Sequence, residues 1–255
     1  MTAPIESPAI RVDAVTMDFG RGSGAVRALD SVSLDVADGE FVCLLGRSGC
    51  GKSTLLSIIA GLTPPSSGTI DCGGRRVGVM FQDASLFPWL TVRGNIELAL
   101  RLSGVPRDQW RERVDELLAV VNLRGADRRR PHELSGGMRQ RVALARTLAQ
   151  KAEVLLMDEP FAALDAITRD AMHDEIERIA HERKLTVVFV THNVREAARL
   201  GDRVIVMQPD PGRFGSETMI DLARPRRMDD PAVAVRAGHL RELLDLHSST
   251  ISTAA

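Results

Sequence analysis

Residues 46–54 read Gly46-Arg47-Ser48-Gly49-Cys50-Gly51-Lys52-Ser53-Thr54, the G-x-x-x-x-G-K-[ST] spacing of a loop that cradles phosphate. Glycines let successive backbone N–H groups turn inward onto an anion, and a helix opening just after them aims its positive end at the same point. Lys52 then neutralises the β- and γ-phosphates, and the Ser53 hydroxyl is a ligand for Mg²⁺. Phosphoryl transfer to water also needs a carboxylate for the metal and a group that orients the water. The run Val154-Leu155-Leu156-Met157 leads straight into Asp158 and Glu159. In phosphate-loop enzymes such a strand lies beside the one feeding the loop, so Asp158 would reach Mg²⁺, directly or through water, and Glu159 would polarise the attacking water. Gln82 closes another apolar run, where its amide could touch the metal or the water. His192 follows the run at 186–190, where its imidazole could donate to the γ-phosphate. Singly, Gln82 and His192 are ordinary polar residues at strand ends; their assignment depends on the whole set.

Such groups meet only if strands carry them to one sheet edge. Val32, Leu34 and Val36 alternate with polar residues, the period of a half-buried strand, and Asp38-Gly39 turns the chain into a buried strand at 41–45 that delivers the loop. Further strands are expected at 77–81, 154–157, 186–190 and 203–207, with helices at 54–60 and 167–184. From residue 88 to 150 the texture is helical. Trp110, Val114, Leu117, Leu118 and Val121 share one face of a helix that begins after Pro106, and a second helix from near Ser135 carries Met138, Val142, Ala145 and Leu148. Asp230-Pro231 starts a short helix bearing Leu240, Leu243, Leu244 and Leu246, and residues 248–255 are expected to be disordered. Short apolar runs separated by helices imply an α/β fold with a mostly parallel sheet. The expected plan is a single domain over 1–255: a core at about 10–87 and 151–222, an inserted helical subdomain at about 88–150, and a C-terminal extension at 223–255.

In 255 residues, 33 Lys plus Arg nearly balance 34 Asp plus Glu, so no net field draws the chain to nucleic acid or to an anionic membrane. Cys43, Cys50 and Cys72 have neither C-x-x-C spacing nor a histidine partner at zinc spacing, and read as reduced thiols of an intracellular protein. Residues 1–10 lack a basic segment followed by an apolar one, so no secretory signal is expected. The longest apolar stretches are far short of the ~20 residues that cross a bilayer. The chain is expected to be soluble, with membrane spans supplied by other chains if it works at a membrane.

Leu134-Ser135-Gly136-Gly137-Met138-Arg139-Gln140-Arg141 could be only a helix entry capped by Ser135. In order, however, the phosphate loop, Gln82, this Leu-Ser-Gly-Gly-x-x-Gln segment, the acidic strand and His192 resemble the ATP-binding-cassette (ABC) family over about residues 10–222. The resemblance implies an ABC ATPase core with an N-terminal antiparallel β part, ATP and Mg²⁺ as cofactors, and Ser53, Gln82 and Asp158 around the metal. It implies head-to-tail homodimers in which Ser135, Gly136 and Gly137 meet the γ-phosphate held by the partner's loop, with Ala163-Leu164-Asp165 at the dimer contact. Adenine would stack on Phe19, in the place where the family often has tyrosine, with apolar help from Val26; Phe19 could instead be a core residue. The segments at 80–92 and 191–204 resemble ATPases of bacterial nitrate, sulfonate and taurine importers. That implies two transmembrane permease subunits, a periplasmic or extracellular solute-binding protein, and a peripheral place on the cytoplasmic face of the plasma membrane. Phe87, Pro88 and Trp89 would either seat a permease helix or form a buried hinge. The competing readings are a lipid-handling or exporting system, and a soluble ABC ATPase outside transport.

Overall fold

The computed structural model describes residues 7–20 and 24–249, with side chains through residue 246. Its contacts divide the chain into two compact units, residues 1–74 with 186–255, and residues 75–185.

In the first unit, β1 (Ile10–Phe19) pairs antiparallel with β2 (Val26–Val36) on one side and β4 (Ser67–Asp71) on the other. Val12, Val15 and Met17 of β1 and Val32, Leu34 and Val36 of β2 are buried, so the alternation in the sequence becomes one apolar face. β3 (Phe41–Leu45) is buried at every position. It lies between β7 (Thr186–Thr191) and β8 (Arg203–Gln208), parallel to both, and β9 (Arg213–Met219) closes antiparallel on β8. Both edges of the loop-feeding strand are thus taken, so the run that ends in Asp158 is not its neighbour, contrary to the sequence expectation. Uninterrupted apolar strands are what parallel pairing with two covered faces requires. The helices here are α1 (Lys52–Ile59), α6 (Val194–Leu200) and α7 (Pro231–Ser249).

The second unit joins β5 (Val77–Met80) in parallel to β6 (Val154–Asp158). Its helices are α2 (Val92–Leu102), α3 (Trp110–Val120), α4 (Gly136–Ala149) and α5 (Ala166–Arg183). Ile96, Ala99, Val114, Leu117, Leu118 and Leu144 form much of their shared interior. Each unit thus pairs parallel strands with helices in α/β fashion, and the first adds a separate antiparallel sheet of β1, β2 and β4. Among the described residues no helix is long and apolar enough to cross a membrane.

Several elements differ from the sequence expectation. The helix at Pro231 is not short: it runs 19 residues, because Val233, Ala237 and Leu240 bury a narrow stripe where α7 packs on α6. It extends through residues 248 and 249, and the remainder of the expected disordered end, 250–255, lies outside the described residues. α2 has no counterpart among the expected helices. It starts at Thr91, whose hydroxyl accepts the Gly94 N–H at 3.1 Å. β5 stops at Met80, leaving Phe81 exposed. Cys43, Cys50 and Cys72 form no disulfide, and burial pushes the Cys43 thiol well above its ordinary range.

Candidate functional site

In the first unit, β3 ends at Leu45 and the loop at 46–51 follows directly. Gly51 is the N-cap of α1 at φ 94°, and no side chain caps that helix. Its first N–H groups are therefore left open toward the loop. A Cβ on Gly51 would stand 2.7 Å from Leu29 Cδ2 and 2.9 Å from the Ala28 carbonyl, and one on Gly46 would stand 2.6 Å from Cys50 Sγ. These positions have no space for a side chain, so the backbone itself lines the cradle. Lys52 is only 5% exposed. Its Nζ donates to the Gly46 and Arg47 carbonyls, each at 2.8 Å, and lies 3.6 Å from Cys50 Sγ. A buried ammonium held by the loop's own carbonyls, beside open helix N–H groups, fits an anion of phosphate type. Ser53 is exposed at the helix start, and Cys50 is buried beneath the loop. Arg47 lies 3.6 Å from Asp245 of α7.

His192 reaches the same end of the sheet. Leu45 is the register partner of Thr191, so Gly46 and His192 each lie one residue beyond that pair. The chain leaves β7 there under firm control: Thr191 Oγ1 donates to Glu196 at 2.6 Å and accepts the Asn193 N–H at 2.9 Å.

Phe19 and Val26 are register partners at the hairpin end of the β1–β2 ladder, where the chain passes from one strand to the other. Phe19 is 47% exposed and Val26 is exposed as well, so Phe19 is not a core residue. β2 also contacts the loop through Ala28 and Leu29, the neighbours of Gly51. The strand pair that carries the exposed ring therefore also packs against the glycine-rich loop.

In the second unit, Met80 and Met157 are the last register pair of β5 and β6, so Phe81 and Asp158 both follow at the same end of the ladder. Glu159 adopts φ 43°, a left-handed backbone that costs a non-glycine residue about 1–2 kcal/mol. A strained carboxylate directly after a metal-ligand candidate was not readable from residue types. A cavity of about 580 Å³ opens here, with Gln82, Asp158, Gly136, Arg139, Gln140 and Leu164 among its lining.

Ser135 caps α4, accepting the Met138 N–H at 3.3 Å, and Gly136 and Gly137 form the first helical residues. A Cβ on Gly137 would lie 2.3 Å from Thr168 Cγ2 of α5. Asp165 is the cap of α5: its carboxylate accepts the Thr168 N–H at 3.0 Å and the Thr168 hydroxyl at 2.7 Å. Those two bonds hold its carboxyl below the usual carboxylate range. Trp89 is 68% exposed and packs its ring against Phe87 at 5.4 Å. Buried Asn95 anchors this turn, accepting the Phe87 N–H at 2.9 Å and donating to the Thr91 carbonyl at 3.0 Å. The aromatic turn is therefore a surface feature rather than a buried hinge.

The sequence marked Gln140 only as part of the Leu-Ser-Gly-Gly-x-x-Gln segment and did not mark Arg146; neither contact of these α4 side chains was foreseen. Gln140 Nε2 donates to the Gln82 carbonyl at 2.7 Å, and Arg146 donates to the Ser85 and Ala84 carbonyls at 2.7 and 3.0 Å. The available signal was a glutamine and an arginine set among the apolar positions of a helix, where a polar group must find a partner.

A family model described as ABC transporter matches residues 29–162, just over half of the chain. The aliphatic sulfonates import ATP-binding protein of Bacillus licheniformis is 44% identical, over 84% of this chain and 85% of its own length. The taurine import ATP-binding protein of a Jannaschia species is also 44% identical, over 84% of this chain and 82% of its own. The nitrate import ATP-binding protein of Synechococcus elongatus is 48% identical, over 81% of this chain and 33% of its own length. Among solved structures, a dimeric ATP-binding cassette in a post-hydrolysis state, bound to ADP and Pi, superposes with a TM-score of 0.74 at 32% identity, covering 84% of this chain and all of that one. With a phosphate cradle in one unit and an acidic strand end and Ser-Gly-Gly helix entry in the other, this chain belongs to the ABC transporter family, as one of its ATPases.

Proposed function

We propose that this chain is the energising ATPase of a bacterial importer for a small anion of the sulfonate, taurine or nitrate type. The observation that carries the reading is likeness over more than four-fifths of the chain to relatives named for import of those anions. In this reading residues 1–255 form one ATPase domain, with its core at about 10–87 and 151–222, a helical subdomain at about 88–150 and an extension at 223–255. ATP lies on residues 46–54, its adenine against Phe19 and Val26 and its phosphates under Lys52. Ser53, Asp158 and Gln82 would hold Mg²⁺, which supplies positive charge to the phosphate oxygens. Glu159 accepts the proton of the attacking water and His192 donates to the γ-phosphate.

The working form is a head-to-tail homodimer, in which Ser135, Gly136 and Gly137 of one copy face the phosphate on the partner's loop. The open N–H groups of a helix entry suit that role. The solved cassette neighbour, itself dimeric, supports the arrangement. The exposed Phe87–Trp89 turn offers two aromatic rings to a permease helix, a residue class favoured at interface anchors. Two permease subunits and an external solute-binding protein complete the system, which places the chain on the cytoplasmic face of the plasma membrane.

Copurification from native membranes, followed by uptake assays with taurine, an alkanesulfonate and nitrate, tests this. Recovery of a multi-span permease, with uptake lost when Lys52 is changed to Ala, is expected. Efflux in place of uptake favours an exporter, and recovery with no membrane chain favours a soluble ATPase.

A further inference from the structure

Residues 82–85, between β5 and the exposed aromatic turn, are held by side chains of α4. Gln140 lies on the second turn of that helix and is only 4% exposed. Its Nε2 takes the Gln82 carbonyl at 2.7 Å. Further along the same helix, the Arg146 guanidinium forks onto the Ser85 and Ala84 carbonyls. No carboxylate partners Arg146 among the described residues, and burial lowers its pKa, so its charge is directed at main-chain oxygens. Charge-assisted bonds of this kind are stronger than neutral ones and fix direction as well as distance. The carbonyls of Gln82, Ala84 and Ser85 are therefore all bonded to side chains of one helix, while the Gln82 side chain itself stays exposed. Gln140 Oε1 is buried with no hydrogen-bond partner, so the amide is retained at a cost that its single Nε2 contact must justify.

We infer that Gln140 and Arg146 are positioning residues that make Gln82 follow the start of its own α4. This rests on the proposed function, in which Ser135–Gly137 meet the partner's nucleotide. Since the same helix begins at Ser135 and holds the Gln82 carbonyl one to two turns later, engagement of the partner's phosphate resets Gln82 in this chain. The two nucleotide sites are thereby coupled through two side chains outside the phosphate loop and the acidic pair.

Full-length Gln140→Leu and Arg146→Met are compared with wild type in steady-state ATPase assays across ATP concentration, with fluorescent ATP-analogue binding to dilute protein and thermal unfolding measured in parallel. Each variant is expected to lose about five- to tenfold in kcat, with KM and analogue binding unchanged and the Hill coefficient falling toward one. Arg146→Lys, which can still reach one carbonyl, recovers part of the loss; a merely structural role would not give that split. Wild-type kcat and Hill coefficient in Gln140→Leu overturn the inference, as does a kcat loss that simply tracks a lower melting temperature. A Glu159→Gln variant that still hydrolyses ATP would instead overturn the underlying site assignment, which keeps the two failures distinct.

Discussion

Gly137 gives a prediction in which helix propensity and packing have opposite signs. It is the second residue of α4, where alanine would ordinarily favour the helix by up to ~1 kcal/mol over glycine. A Cβ there would lie 2.3 Å from Thr168 Cγ2, whereas ordinary contact begins at 3.4 Å. The helices must separate by about 1 Å, or Thr168 must leave its rotamer, at about 1–3 kcal/mol. Gly137→Ala is therefore expected to lose about 1–2 kcal/mol net, or about 3–6 °C in melting temperature for a chain of this size. Thr168→Ser removes the clashing methyl but keeps the hydroxyl that donates to Asp165 at 2.7 Å. By itself it should cost under ~1 kcal/mol. The double variant should regain most of the Gly137→Ala loss, a coupling of about 1–2 kcal/mol in a thermal or urea double-mutant cycle. A Gly137→Ala protein as stable as wild type, or strictly additive single effects, would refute the packing explanation for this glycine.

Two other substitutions probe backbone and charge. Because Glu159 holds φ 43°, Glu159→Gly should melt higher than Glu159→Ala by about 1 kcal/mol of stability, reversing the usual order of these residues; calorimetry of the pair decides it. The Asp165 carboxyl is depressed by the Thr168 N–H and hydroxyl bonds, so its folded value lies below its unfolded one. The stability it contributes is then present above the unfolded value, about 4, and is lost as pH falls through the folded value. Asp165→Asn keeps a good cap and should flatten this part of the melting-temperature profile between about pH 5 and 3; an unchanged slope would contradict the assignment.

The legible parts of the chain were those in which burial leaves a one-dimensional mark. Phe41–Leu45 and Thr186–Thr191 are buried throughout, so each is a continuous apolar run, and the phosphate loop is set by spacing alone. α2 escaped notice because Gly94 and Asn95 interrupt its pattern. Asn95 is nevertheless buried, since its amide is committed to the Phe87 turn. α7 looked short because only Val233, Ala237 and Leu240 mark its buried stripe. Arg226 is buried, its guanidinium donating to the Gly201 and Ile220 carbonyls at 2.6 and 3.0 Å, while Arg224 and Arg227 beside it are exposed; the residue type does not tell them apart. The Gln140 to Gln82 bond spans 58 positions and ends on a main-chain oxygen, so no residue type at the receiving end announces it. The Glu159 dihedral likewise leaves no trace in the residue type.

Glu159 is proposed to activate water for ATP held between two copies of this chain. Purified Glu159→Gln protein, incubated with ATP and Mg²⁺ and followed by light scattering during size exclusion alongside phosphate release, tests it most directly. Retained ATP binding, abolished phosphate release and a stable dimer with ATP trapped inside are expected. Phosphate release at the wild-type rate, or a variant that binds ATP but stays monomeric throughout, would contradict it.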